Sequence, residues 1–410
     1  MVADLLYSWQ PTSFAGRAER PESEGVANAK EGLEMSVERF TRSVDQIPLR
    51  NIVPSTSRRS FLAGAGGAAA ALLGGRLAGI ENPLVSPALA ANSGGPTPTY
   101  APIPEGALGP PLNADGYFVG RISGDLYWVT DSFYTAMFLT TRKGVVLVDA
   151  PPTIGHNLVR AISAVTQASG RPSRVTHLVY SHSHTDHIGA SFLFGSDVVR
   201  VGHRLCRELL LRDNDPHRPP PTVTFDDHFV LSVGGERLHL DYRGPNHSPD
   251  NIFIHAPDHQ TLMFVDVLFP GWVPFDQLAV SQDIPDWIKA QEIAMGFEWQ
   301  TLVAGHLGRL GTRADGELQI AYVNDLVTSA KATMANLNPV PFFQQFGNNA
   351  WAIFKAYLDA ASAQTAAPVT QKYLGKLAAA DVYTASNAFS IFEFALRVDG
   401  GVLGPFGVHP

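Results

Sequence analysis

The sequence predicts an α+β protein in which β-sheets are covered by helices, with a further helical region towards the C-terminus. Short apolar or alternating runs separated by turns occupy residues 117–149, a pattern typical of an antiparallel meander. Beyond residue 150, helical and strand patterns alternate, which favours sheets with helices packed on them. From about residue 315, apolar residues recur at helical spacing without a strand pattern, so we expect a helical extension there.

The individual elements follow from these patterns and from the residues that interrupt them. A helix over 154–168 is expected to stop at Gly170 and Pro172, because glycine and proline mark helix C-termini. Two more helices are predicted over 204–212 and 283–297. The predicted strands are 117–122, 126–130, 134–140, 145–149, 175–180, 198–202, 223–231, 237–242, 251–255, 261–267 and 301–304.

Composition excludes several classes of protein. Hydrophobic residues make up 45% of the 410 residues and charged residues 17%, which is typical of a globular chain. The formal net charge of −8 disfavours nucleic acid or an anionic membrane as the main partner. The single cysteine, Cys206, excludes an intrachain disulfide, and its place in a predicted helix indicates a buried small apolar side chain.

The first ninety residues resemble an export signal. Residues 57–62 read Ser-Arg-Arg-Ser-Phe-Leu, an uncharged Ala/Gly-rich run follows, and residues 88–90 form a small-x-small cleavage pattern. This resembles a twin-arginine signal, which is read by the twin-arginine export machinery and would make the protein periplasmic or extracellular. The apolar run is shorter than the roughly 20 residues of a spanning helix, so no stable membrane span is expected after processing. Met35 is an alternative start to Met1.

Four potential metal ligands directly follow the predicted strand 175–180. His182 and His184 lie two residues apart in extended chain, so their imidazoles project to the same side and can hold one ion. Asp186 and His187 come one turn later and can offer a carboxylate and an imidazole to a second ion, about 3.5–4 Å from the first. The His-x-His-x-Asp-His pattern is therefore a strong signal for a metal site.

Three further candidate ligands lie just past later predicted strands. His247 follows strand 237–242, Asp266 stands at the end of the apolar run 262–265, and His306 follows strand 301–304. A carboxylate at the end of an apolar strand requires a cation or hydrogen-bond donors to stabilise it. The seven side chains together provide five imidazoles and two carboxylates, enough ligands for two zinc ions (Zn2+) per chain.

This order of residues resembles the metallo-β-lactamase-fold superfamily of hydrolases. The resemblance covers roughly residues 117–311 and implies a four-layer αββα sandwich with the metals at the sheet edges. It implies that His182, His184 and His247 hold the first zinc. It likewise implies that Asp186, His187 and His306 hold the second zinc and that Asp266 bridges the two.

The sequence patterns and the resemblance together divide the chain into four predicted segments. Residues 1–90 are the long lead with its signal peptide, and residues 91–115 are a linker rich in proline and glycine. Residues 116–312 are the metallo-β-lactamase-like catalytic domain, and residues 313–410 are the mostly helical C-terminal extension.

The ligand set implies hydrolysis by a metal-bridging hydroxide. Zinc lowers the pKa of bound water to about 7, so hydroxide is available at neutral pH. Asp186 is the candidate catalytic residue, since it would both bind metal and orient the nucleophile. Asp149 resembles the family's aspartate that braces the metal loop by hydrogen bonds. Asn251 either hydrogen-bonds the turn that carries His247 or merely begins a strand.

Differences between this sequence and individual branches of the family reduce the number of activities that are expected. True β-lactamases of this fold generally lack the bridging aspartate, so Asp266 favours lactonase, glyoxalase II-like and other non-lactam branches. Acyl-homoserine lactonases place a tyrosine where this chain has Phe269, and flavodiiron proteins place a glutamate where it has His184, which argues against both. Loop residues near the metals favour an apolar organic substrate, although about half are expected to pack the loops together: Phe133, Tyr134, Phe269, Trp272, Val273 and Phe275.

The predicted function is therefore that of an exported dinuclear zinc hydrolase. It would cleave an ester, lactone, thioester or amide (lactam-like) bond in a small organic substrate and would not act on nucleic acid. The alternative is a mononuclear iron oxidoreductase resembling persulfide dioxygenases, in which only three residues bind the metal.

Overall fold

The computed structural model describes residues 99–402, in which two β-sheets stack on each other. The larger sheet has seven strands in the order β1 to β7: Phe118–Ser123, Leu126–Thr130, Thr135–Thr141, Gly144–Val148, Val175–Val179, Val199–His203 and Val223–Phe225. The smaller sheet has the order β12-β11-β10-β9-β8, with β8 to β12 being His228–Val233, Glu236–Asp241, Phe253–Ala256, Thr261–Met263 and Thr301–Val303. The export signal expected within residues 1–90 lies outside the described residues.

The strand directions bring the ends of several strands to shared edges. β1 to β4 form the expected antiparallel meander, and β5 pairs with β4 in parallel. Asp149, which follows β4, and Ser181, which follows β5, therefore leave the sheet at the same edge. In the smaller sheet β12 pairs with β11 in parallel, so Asp266 and His306 also emerge on one side.

Helices cover the outer face of each sheet. On the larger sheet these are α1 (His156–Ser169), the single turn α2 (Thr185–Ile188) and α3 (Arg204–Asp213). The smaller sheet is covered by α4 (Ile284–Met295) and by a C-terminal group comprising α5 (Arg313–Asn336), α6 (Val340–Phe346), α7 (Ala350–Tyr373), α8 (Ala380–Ser390) and a π-helix (Ile391–Val398). Of the helices within residues 99–402, none has the length and apolar character that crossing a membrane requires.

Three apolar cores separate these layers. The core between the sheets contains Val146 and Val179 of the larger sheet and Ile254 and Val303 of the smaller one. A second core joins the larger sheet to α1 and α3 and contains Cys206, which is fully buried as expected. The third joins the smaller sheet to α4 and the C-terminal helices. The chain thus has the αββα metallo-β-lactamase fold with a C-terminal helical region, as predicted.

Two predicted strands differ from the structure. The run 223–231 is two strands, β7 and β8, which belong to different sheets. The chain passes between the sheets at the exposed Asp226 and Asp227, and the apolar residues before and after this polar turn belong to two strands that both contribute to the core between the sheets. The predicted strand 261–267 ends at Met263, since Phe264 and Val265 are buried by loop packing outside the ladder and Asp266 adopts a positive φ of 62°.

Part of the predicted linker packs against the folded region. A short 3₁₀ turn spans Glu105–Ala107, and Ala107 is buried. The Ala107 carbonyl accepts a hydrogen bond of 3.1 Å from the indole N–H of Trp272. The proline and glycine content correctly indicates a segment with little regular secondary structure. That segment is nevertheless held in place by tertiary contacts.

We expect Gly305→Ala to destabilise the fold at the strand end that leads to His306. Gly305 has φ +83°, and a Cβ there would lie 2.5 Å from Val265 Cγ1. Such strain costs about 1–3 kcal/mol, which urea unfolding would measure. Gly106→Ala is the matched control, because nothing lies within 4 Å of its Cβ position. Equal losses in both variants would contradict the assigned backbone.

Candidate metal centre

The structure brings all seven predicted site residues together in two adjoining groups. The first group comprises His182, His184, His247 and Asp266, and the second comprises Asp186, His187 and His306. Within each group, one potential ligand atom per residue lies within 4.8 Å of every other. Residues that are up to 124 positions apart in the sequence therefore form a single cluster.

The spacing within each group fits a metal ion. His184 Nδ1 lies 3.0 Å from His247 Nε2, and His187 Nε2 lies 3.1 Å from His306 Nε2. Nitrogen atoms that share one tetrahedral zinc, each at about 2.0–2.1 Å from it, are separated by about 3.3 Å. His182 Nε2 is buried without a hydrogen-bond partner, while its other nitrogen lies 3.0 Å from the Ser181 hydroxyl. The unpaired nitrogen is thus available to a cation.

Asp266 links the two groups. Its Oδ2 lies 3.1 Å from His247 Nε2 and 3.5 Å from His182 Nε2 in the first group. The same oxygen lies 3.0 Å from His187 Nε2, and Oδ1 lies 2.9 Å from His306 Nε2 in the second group. One nearly buried carboxylate therefore contacts imidazoles of both groups, which is the arrangement that a bridging ligand requires.

The second group forms the open side of the centre. Asp186 is 43% exposed, and its Oδ2 lies 3.4 Å from His187 Nε2 and 3.7 Å from His306 Nε2. The ligands of the first group are mostly buried. A substrate can therefore approach the cluster next to Asp186.

Charge and burial act against each other within the cluster. Burial lowers the pKa of His182 well below its usual range, with a further contribution from the neighbouring histidines. Burial also lowers the pKa of His247 to about 4. Burial would raise the pKa of Asp266, but the charges of His187, His306 and His247 outweigh it and hold that pKa well below its usual range. Burial would lower the pKa of His187 as well, but the charge and hydrogen bond of Asp266 outweigh it and raise that pKa to about 9. The cluster therefore combines a carboxylate, two imidazoles whose pKa values favour the neutral form, and His187, whose proton a metal ion would displace on binding.

The loop carrying His182 and His184 is braced from two sides. The backbone N–H of Ser181 donates to Asp149 Oδ1 at 2.8 Å, and Arg218 Nη1 donates to the Ser183 carbonyl at 2.6 Å. Asp149 is fully buried with φ +61°, and burial raises its pKa to about 6. Its position agrees with the bracing role that the sequence suggested. Arg218 was not anticipated from the sequence.

Asn251 connects the loops of His247 and Asp266. Its Nδ2 donates to Asn246 Oδ1 at 2.9 Å and to the Val265 carbonyl at 2.9 Å. Asn246 Oδ1 also accepts a hydrogen bond of 2.7 Å from the His247 N–H. Of the two alternatives for Asn251, the structure therefore selects the hydrogen bond to the His247 turn.

Two residues missed in the sequence hold the backbone around Asp266. The indole of Trp287 in α4 donates to the Asp266 carbonyl at 3.0 Å. Gln319 in α5 accepts from the Phe269 N–H at 2.7 Å and donates to the Val267 carbonyl at 2.6 Å. Gln319 shares a helix stripe with the buried Tyr322, Val323 and Leu326. A lone amide on an apolar stripe is the signal that could have identified it, because buried polar groups need partners.

The six loop residues that were expected near the metals fall into two groups. Phe269 and Val273 are buried in the core, and Trp272 is held by its bond to Ala107, so these pack the loops. Phe133 and Phe275 are 62% and 50% exposed. Tyr134 pairs with His306 in an isolated β-bridge, and their rings are 4.6 Å apart. Of these residues, Tyr134 therefore contacts the cluster directly, while Phe133 and Phe275 are open to solvent.

Comparison with known proteins gives one family and several distant relatives. Residues 129–306, which contain the whole cluster, match the family model of the metallo-beta-lactamase superfamily. The 2,4-dinitroanisole O-demethylase subunit alpha of Nocardioides sp. (strain JS1661) is 27% identical over 205 residues, 48% of this chain and 60% of that protein. A metallo-beta-lactamase type 2 of Elizabethkingia meningoseptica is 26% identical over 130 residues, 31% of this chain and 49% of that protein.

Both of these alignments therefore span less than two thirds of the relative's length. Among solved structures, a metallo-beta-lactamase from Pontibacter korlensis superposes with a TM-score of 0.43 at 20% identity, covering 50% of this chain and 97% of that one.

We expect zinc to stabilise the metal-free protein by binding this cluster. With free zinc at about 100 times its dissociation constant, the free energy of unfolding should rise by about 2.7 kcal/mol, measured by denaturant unfolding with and without a chelator. Asp266→Asn should remove most of this gain, because the linking charge is lost. His259→Ala, at the opposite edge of the smaller sheet, should retain it. A wild-type protein indifferent to zinc would contradict a metal site.

Proposed function

We propose that this chain, whose residues 129–306 form a domain of the metallo-β-lactamase superfamily, is a hydrolase that uses two zinc ions. Its substrate would be a small organic molecule with an ester, lactone, thioester or amide bond. The observation that carries this proposal is the Asp266 carboxylate, which contacts His182 and His247 on one side and His187 and His306 on the other. A carboxylate shared by two sets of imidazoles suits two adjacent cations.

The residues would divide between the ions according to their distances. His182, His184 and His247 would hold the first ion, and Asp186, His187 and His306 the second, with Asp266 touching both. When bound, zinc lowers the pKa of water to about 7 and polarises a carbonyl oxygen. The donor set of five imidazoles and two carboxylates is one that zinc accepts.

The protein groups supply position and proton transfer. Asp186 is the most exposed ligand of the second group, so its free carboxylate oxygen can orient a water molecule or pass a proton to a leaving group. Asp149 and Arg218 hold the loop backbone on either side of His182, which keeps the imidazoles aimed at the cluster. Phe133 and Tyr134 offer an apolar surface beside the open side.

A second candidate substrate is an aryl methyl ether. It is favoured by the 27% identity with a 2,4-dinitroanisole O-demethylase subunit over 205 residues. Water attack on such an ether would release a phenol and methanol. 2,4-Dinitroanisole therefore belongs in the substrate panel beside chromogenic esters, lactones, thioesters and lactams.

We expect His184→Ala and Asp186→Ala to lower hydrolysis by on the order of 10³-fold, because each removes a ligand or the proton carrier. Initial rates with the substrate panel, together with metal content, would measure this. His259→Ala should keep wild-type rates, since it lies away from the cluster.

Metal analysis separates the alternatives on the same fold. Two zincs per chain support the proposal, whereas one iron together with oxygen consumption would support the persulfide dioxygenase-like reaction. Unchanged turnover in both ligand variants would refute the assignment of the site.

We also propose that residues 57–90 direct export through the twin-arginine machinery, which places the enzyme in the periplasm or outside the cell. Arg58→Lys with Arg59→Lys should abolish export, because lysine lacks the planar guanidinium that a receptor reads. Cell fractionation of a host with this machinery would measure the effect. Arg76→Lys is the control outside the pair. Equal export of the double variant would refute the signal.

A further inference from the structure

A segment with unusual backbone conformation lies between Asp266 and α4. Four consecutive residues other than glycine have positive φ angles: Gln277 (51°), Leu278 (56°), Ala279 (64°) and Val280 (51°). We call residues 277–280 the left-handed turn. Side chains with a Cβ disfavour this conformation, and β-branched valine disfavours it most. Such a turn persists only where surrounding contacts determine it, and strain of this kind is concentrated near functional sites.

The contacts that determine the left-handed turn come from α8. The fully buried side chain of Asn387 accepts a hydrogen bond of 2.7 Å from the Leu278 N–H. Its Nδ2 donates to the Pro274 carbonyl at 2.9 Å and to the Tyr322 hydroxyl at 3.2 Å. One amide thus satisfies backbone groups before and within the left-handed turn. A buried amide with all these partners fixes a single arrangement of the backbone.

The left-handed turn leads directly to the metal cluster. Immediately after it, the Gln282 N–H donates to the His247 carbonyl at 3.0 Å, and the Asp283 N–H donates to the Asn246 carbonyl at 3.1 Å. Two apolar side chains at the ends of the left-handed turn are largely exposed to solvent. Phe275, just before the turn, is 50% exposed, and Val280, its last residue, is 58% exposed. The left-handed turn is therefore attached to a ligand-bearing loop and presents an apolar surface next to it.

We propose that α8 of the C-terminal helical region builds one wall of the substrate site, with Asn387 as the positioning residue of the left-handed turn and Phe275 and Val280 as specificity-determining side chains. The effect on substrate choice rests on the proposed hydrolase function. The positional effect does not, because it follows from the hydrogen bonds of Asn387 alone. The substrates that this wall favours are those with an apolar group beside the bond to be cleaved.

The first experiment is hydrogen–deuterium exchange of the full chain, which needs no activity. In Asn387→Ala the Gln282 and Asp283 amides should exchange at least tenfold faster, because the left-handed turn loses its support and leaves the His247 loop. The matched control is Ser390→Ala, a substitution in the same helix at a buried hydroxyl without a hydrogen-bond partner. Adding Val280→Gly to Asn387→Ala should restore protection, since glycine removes the conformational penalty. Unchanged protection in Asn387→Ala overturns the proposal.

The second experiment does not require the Asn387 variant to fold. Val280→Gly alone should raise the melting temperature. The Val280 backbone has a positive φ, and glycine adopts that conformation without the strain that a valine side chain causes. Glycine at an ordinary position lowers the melting temperature. A lower melting temperature in this variant would therefore refute the strained conformation assigned to residues 277–280.

Kinetics then test the consequence for substrate choice. Asn387→Ala should raise KM for esters with bulky apolar groups at least fivefold more than it raises KM for acetyl esters. Equal changes for both substrates would indicate a general structural defect and overturn the specificity role. If the wild-type protein hydrolyses no member of the panel, the hydrolase function fails, while the exchange and melting results still decide the positional role.

Discussion

A single nearly buried carboxylate sets the conditions for the rest of this structure. Asp266 lies among four imidazoles at 2.9–3.5 Å, in surroundings where an uncompensated charge would be very costly. Cations or protonated imidazoles must therefore surround it. The fold meets this requirement by ending β11 and β12 on one side and by directing the segment after β5 towards the same point. The stacking of the two sheets is what makes these loops meet.

Holding such a cluster requires loops with rigid and uncommon backbones. Asp149, Asp266 and Leu307 adopt positive φ angles. Aspartate tolerates this conformation better than most residues, but each such position still needs outside support. That support comes from buried polar side chains: Asn251 joins two loops, and Gln319 holds the chain after Asp266. The strain near the candidate metal centre is thus balanced by hydrogen bonds from residues outside the seven clustered side chains.

The C-terminal helices consequently belong to the same structural unit as the site. They share an apolar core with the smaller sheet and contribute Gln319 and Asn387 to the loops between Asp266 and α4. The sequence predicts these helices from the spacing of their apolar residues. It does not show what the amide side chains of Gln319 and Asn387 contact. The strand pattern likewise predicted β1 to β6 closely. It failed where β7 passes into β8, because one strand was predicted across the exposed polar residues between them. It also failed where β11 ends, because Phe264 and Val265 remain buried without a ladder.

The sequence by itself determined the identity of the seven clustered residues, the α+β class and the chemistry that imidazoles and carboxylates can perform. Four of the seven are local, since a strand followed by His-x-His-x-Asp-His already carries its ligand geometry, and the other three each follow a strand of their own. The tertiary structure alone decided that Asp266 stands between two groups, that Asp186 faces the open side, and that Arg218, Gln319 and Asn387 hold the loops. Those relations depend on which buried polar groups find partners across the core, and that pairing is set by packing between elements far apart in the chain.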